Sequence, residues 1–120
     1  MEMWLKRVYE DPAPQDGTRI LVDRLWPRGI SKKEADIDLW LKEIAPSDKL
    51  RKWFDHDPGK WEIFKRRYYR ELDDPDNKTA AELSEIAGQG RVTLVFSARD
   101  ERRNNAAALK EYMEERFSRR

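Results

Sequence analysis

RVTLVFSARDERRNNAAALK, residues 91–110, decides the fold. Val92 to Phe96 is apolar except for Thr93, the pattern of a central strand covered on both faces. After a polar turn the chain enters a helix expected to gather Leu109, Tyr112, Met113 and Phe117 on one side. A buried strand that feeds a helix is the unit of an α/β domain, and two more strands stand near the start of the chain. Ile20-Leu21-Val22, within Arg19 to Leu25, is a second continuous apolar run, and MWLKRVY (Met3 to Tyr9) alternates as a half-buried strand does. Strands are therefore expected at residues 3–9, 19–25 and 92–97.

The span between the second and third strands reads as helices. Ile37, Trp40, Leu41 and Ile44 fall at i, i+3, i+4 and i+7 behind Asp36, which predicts a short amphipathic helix with Asp36 as its N-cap. Ser47 restarts a helix that aligns Leu50, Trp53 and Phe54. Asp57 and Pro58 then give an N-cap and a first helical residue for a helix presenting Trp61, Phe64, Tyr68 and Leu72. A further helix runs over Ala80, Leu83 and Ile86 before Gly88. The expected fold is α/β, a small, mainly parallel three-stranded sheet packed with about five helices. EDPAPQDG, residues 10–17, is turn chemistry. It is shorter than the usual parallel crossover, so a mixed sheet stays open as the alternative.

The chain has 120 residues, one domain's worth, and the expected domain is residues 1–120. Charged residues make up 41% of it, yet 25 Lys and Arg nearly cancel 24 Asp and Glu. The net charge of +1 provides no global field to gather a polyanion, so any cation function must be local. With no cysteine there is no disulfide, thiolate nucleophile or Cys-ligated metal. The sequence opens without the pattern of a secretory signal, and no apolar run approaches the ~20 residues of a membrane span. The expectation is a cytoplasmic protein with no membrane partner.

If the strands run parallel, their carboxyl ends share an edge, and ligands of open α/β sheets bind outside that edge. Lys6 and Arg7, Arg24 and Arg28, and Ser97 and Arg99 would meet there. Asn104 or Asn105 would cap the final helix, whose first N–H groups and dipole favour an anion. Trp26, just before Pro27-Arg28-Gly29, would cover a ligand or wedge the turn. The expected ligand-binding set is thus Lys6, Arg7, Arg24, Trp26, Arg28, Ser97, Arg99 and Asn104, for a small anion such as phosphate, a nucleotide or a phosphorylated metabolite. The plainer reading is that Asn104 only caps and that Arg99, Arg102 and Arg103 are solvated. Asp23 and His56 are the acid–base candidates. Against that role, Asp23 suits a buried ion pair, and His56, between Asp55 and Asp57 at a helix end, suits capping in its protonated form. No His-x-x-x-His or clustered carboxylate spacing appears, so neither a metal nor another cofactor is expected.

KRVY, DG, VDRLWPRG, WLKEIAPS, LRKWFDHDP and VTLVFSARD, in that order over nearly the whole chain, resemble the YeaO-like branch of the domain-of-unknown-function 488 family. The resemblance implies a compact cytoplasmic α/β domain of bacteria or archaea, in a family without an assigned activity. It marks Lys6, Arg7, Asp23, Arg24, Trp26, Pro27, Arg28, Gly29, Ser47, Arg51, Trp53, His56 and Asn104 as defining positions. Longer relatives in the broad family carry a Cys-His-Arg-like segment near the start of the final helix. Asn104 and Asn105 stand there in this chain, so thiol chemistry does not carry over. Two other classes remain beside anion binding. One is RNA or single-stranded DNA binding through Arg24, Trp26, Arg28, Lys32 and Lys33. The other is a structural or protein-interaction domain in which the arginines pair with internal carboxylates.

Overall fold

All three expected strands form, and a fourth joins them, in a computed structural model that describes residues 1–117. The strands are β1 (Met3–Arg7), β2 (Thr18–Leu21), β3 (Leu39–Trp40) and β4 (Val92–Phe96). They lie in the order β1-β4-β2-β3, and every pair is parallel. The helices are α1 (Lys32–Ala35), α2 (Asp48–Phe54), α3 (Trp61–Asp73), α4 (Thr79–Ala87) and α5 (Asn105–Phe117). Among the described residues no helix is long and apolar enough to cross a membrane.

Strand alternation sorts the sheet into two cores. Met3, Ile20, Val22, Val92, Leu94 and Phe96 face the larger one, with Leu50 and Phe54 of α2, Phe64, Tyr68 and Leu72 of α3, Leu83 of α4, and Leu109 and Met113 of α5. Val8, Leu21 and Val95 point the other way, onto Ala35 of α1, with Trp26, Ile30, Ile37 and Trp40 around them. All five residues of β4 are buried, as a central strand apolar at every position but Thr93 requires.

The fourth strand corrects the helix expected over residues 36–44. Ser31, not Asp36, is the N-cap: its side chain accepts from the Glu34 N–H, and the Glu34 carboxylate accepts from the Ser31 N–H. Asp36 instead ends α1 in the left-handed conformation, φ 50°. The next residues serve the open edge of β2. Asp38 N–H donates to the Arg19 carbonyl at 2.9 Å and Leu41 N–H to the Leu21 carbonyl at 3.0 Å. The helical spacing misleads because its members part company. Ile37 and Trp40 enter the smaller core, Leu41 and Ile44 the larger one. The expected strands over 3–9 and 19–25 are also shorter in fact. Val8 and Val22 still donate to Phe96 and Val95, but beyond them the chain leaves the sheet.

The short link from β1 to β2 is a parallel crossover after all, because the two strands are not neighbours. β4 lies between them, and the link passes over its Thr93 face through a 3-10 turn at Pro14–Asp16. Asp16, 3% exposed, clamps that passage. It accepts from Lys6 of β1 at 3.2 Å and from Arg19 of β2 at 2.7 Å, while its carbonyl takes the Thr93 hydroxyl of β4 at 2.8 Å. Arg19, equally buried, donates also to the carbonyls of Ala35 and Asp36. Gly17 follows with φ 66°, and a Cβ there would run into the Arg91 carbonyl oxygen.

Candidate functional site

The carboxyl ends of the parallel strands open into a cleft of about 820 Å³. Of the residues expected at a site, Arg7, Arg24, Trp26, Arg28, Ser97, Arg99, Asn104, Asp23 and His56 line it, and Lys6 does not. Lys6 has the parity of Trp4 and Val8, so it points to the smaller-core face and its ammonium is held by Asp16. Arg7, one residue on, faces the cleft instead.

The cleft floor is built around Asp23. Its Oδ2 accepts from both the backbone N–H and the hydroxyl of Ser97, at 3.0 and 2.8 Å, and its Oδ1 accepts from the Asn105 amide at 3.1 Å. These bonds tie the end of β2 to the end of β4 and to the first turn of α5. Among the described residues the ion pair with a lysine or arginine expected for Asp23 does not form; its three donors are neutral. Burial pushes the Asp23 carboxyl above its ordinary value of 3.8, against the opposing pull of Ser97, Asn105 and the His56 charge.

That rise has a sign that can be measured. A carboxyl raised in the folded state holds its proton more tightly there than in the unfolded chain. Its ionisation therefore costs stability as the pH climbs from 3.8 through the folded value. In Asp23→Asn this loss is absent, so the stability of the variant relative to wild type is expected to rise across that window and to level off above it. Urea unfolding between about pH 3.5 and 8 checks this, and a relative stability that falls across the window would contradict it.

The arginines divide into two kinds. Arg7 donates to the Ala98 and Ser97 carbonyls at 2.8 and 2.9 Å and lies 5.0 Å from the Tyr9 ring centre. Arg24 donates to the carbonyls of Pro46 and Ala45 at 3.1 and 3.0 Å, with the exposed Glu43 at 3.7 Å. Both fasten loops to the strand ends. Arg28 and Arg99 are exposed, and among the described residues their guanidinium groups have no hydrogen bond or ion pair. Arg51, which pairs with Asp48 at 3.3 Å, and Lys52, from the last turn of α2, add two more cations. Six cations therefore line the cleft against two carboxylates, Asp23 and Asp55.

Trp26 wedges the turn. Its indole N–H donates to the Ile30 carbonyl at 2.8 Å and its ring meets Trp40 edge-on at 5.5 Å. Asn104 caps α5: its Oδ1 accepts from the Ala107 N–H at 2.8 Å, and at 2% exposure it offers little to a ligand. The turn before α5 is occupied from within. Asp100 accepts the N–H groups of Arg102 and Arg103, which holds its carboxyl below the usual range. His56 stands on the rim after α2, where Asp55 and His56 both take positive φ, 45° and 56°.

Several lining residues carried no sign in the sequence of belonging to a site. Tyr9 donates its hydroxyl to the Arg28 carbonyl at 2.7 Å, bridging the end of β1 to the Trp-Pro turn. Phe54 and Phe64 are core residues whose edges reach the cleft. The Asn104-Asn105 doublet was the readable clue to Asn105: one amide suffices for the cap, which leaves the second for Asp23.

Comparison with known proteins supplies the family. The family described as the inactive DUF488-N3 subclade has a model that matches residues 2–120. The chain belongs to that family. The chain is 45% identical over 103 residues to the uncharacterized protein Rv3073c of Mycobacterium tuberculosis H37Rv, covering 86% of each chain. It is 40% identical over 113 residues to the uncharacterized protein YeaO of Escherichia coli K12, covering 94% of this chain and 97% of that one. No solved structure matches. In this DUF488-N3i chain the start of the final helix carries an asparagine cap and an asparagine that holds Asp23.

Proposed function

We propose that the strand-end cleft binds a small anionic ligand of the phosphate, nucleotide or phosphorylated-metabolite class. The observation that carries this reading is the excess of six cations over two carboxylates on one concave surface, in a chain whose net charge is only +1. Exposed guanidinium groups at Arg28 and Arg99, not already spent on carboxylates, supply planar donors suited to phosphate. The volume of about 820 Å³ falls within the range of small-molecule sites. The family's description as an inactive subclade agrees with binding without turnover. The use of Trp26 in internal packing counts against a base-stacking platform for single-stranded nucleic acid.

The test is thermal. Phosphate at roughly 100 times its Kd contributes about 2.7 kcal/mol, which for a domain of this size raises Tm by roughly 10 °C. Arg28→Ala combined with Arg99→Ala is expected to remove the shift while leaving the Tm in chloride within a few degrees of wild type. Arg24 is the wrong residue to remove, because its loss would release the Ala45 and Pro46 carbonyls. An equal Tm in phosphate and in chloride of matched ionic strength would overturn the proposal.

A further inference from the structure

We propose that the ligand of this cleft is a phosphorylated polyol, whose phosphate meets the Arg28 and Arg99 rim and whose hydroxyl donates to Asp23 on the floor. The inference rests on the anion-binding reading and sharpens it. Rim and floor differ in chemistry. The rim is exposed and donor-rich, whereas the floor presents acceptors.

The acceptors can be counted. A carboxylate offers about four lone-pair positions, and three at Asp23 are filled, two on Oδ2 by Ser97 and one on Oδ1 by Asn105. One position on Oδ1 remains. The Ser97 hydroxyl spends its proton on Asp23, so only its lone pairs remain to face a ligand. The Asn105 amide donates to Asp23 and Val22, and among the described residues its Oδ1 accepts nothing. A bare phosphate set on this floor would meet a carboxylate that, among the described residues, has no cation bonded to it, which is repulsive. A hydroxyl would instead satisfy an acceptor that is already half-buried. The cleft is also far larger than phosphate alone, which leaves space for a hydroxylated body between floor and rim.

Calorimetric titration of the full chain with inorganic phosphate, propyl phosphate and ribose 5-phosphate separates the outcomes. The expected result is ribose 5-phosphate binding at least about tenfold tighter than propyl phosphate, the preference that a hydrogen bond to a charged acceptor confers. In Asp23→Asn the preference is expected to shrink to about twofold or less, with propyl phosphate bound as well as before or better, since a negative charge has gone. Should that variant not fold, glycerol 3-phosphate titrated into wild type gives the second measurement: it is expected to bind several-fold tighter than propyl phosphate, and equal affinity would overturn the inference. Equal affinity for propyl phosphate and ribose 5-phosphate in wild type overturns this inference and leaves anion binding standing. Failure of all three to bind overturns both.

Discussion

Asp16→Ala is expected to lower the unfolding free energy by about 3–5 kcal/mol, the cost of removing one partner from a buried ion pair. The size follows from what is stranded. Arg19 is 3% exposed and would keep two carbonyl acceptors but no counter-charge. Lys6 would lose its partner as well, and the Ala13 N–H its acceptor. Burial pushes the Asp16 carboxyl up, but the bonds from Ala13, Arg19 and Lys6 outweigh it and hold the group below its ordinary value of 3.8. A depressed carboxyl contributes stability that is complete above that ordinary value and fades as the pH falls through the folded one. The deficit of the variant is therefore expected to be full at neutral pH and to narrow in acid. Urea unfolding at neutral and acidic pH measures both points, and a loss below about 1 kcal/mol at neutral pH would show that the pair is worth no more than an exposed one.

Phe64→Ala is the second large effect, again about 3–5 kcal/mol, for a buried aromatic truncated inside a packed cluster. Phe64 is 2% exposed and stacks on Phe54 at 4.2 Å, with Trp61 and Tyr68 at 5.7 and 5.9 Å. Its removal leaves a hole between α2 and α3, where Phe54 leads into the Asp55-His56 turn on the cleft rim. Phe64→Leu keeps most of the volume and is expected to cost about half as much. Equilibrium unfolding gives the size. Cleft damage would show as weaker phosphate binding in the alanine variant, and a loss of stability under about 1.5 kcal/mol would mean the cluster had closed over the hole.

Phe64 also marks what a sequence discloses. It sits on a stripe with Trp61, Tyr68 and Leu72 that only a helix with one buried face explains, and the continuous runs at Ile20–Val22 and Val92–Phe96 disclose buried strands in the same local way. The segment around Trp40 defeats that logic because two cores draw on it from opposite sides of the sheet. The bond from Lys6 to Asp16 spans ten residues and the one from Thr93 to Asp16 spans 77, and such pairings leave no periodic trace. The site divides likewise. Convergence of Arg7, Arg28, Ser97 and Arg99 follows from parallel strand ends. The neutral donors around Asp23 do not, since Asn105 is 82 residues away.

The strand order has a consequence in time. β1 and β2 pair with β4 and not with each other, so residues 1–91 hold two strands that lack the one between them. Helices α2 to α4 can begin to form on local preference, but the sheet cannot close until residues 92–96 slide into the gap. The last strand is the keystone, and it comes from the far end of the chain. The β1 to β4 and β2 to β4 ladders are long-range pairings, the class of contact that slows folding. Before they form, the chain carries two unfilled parallel edges, which is the interval in which it is open to pairing with another molecule.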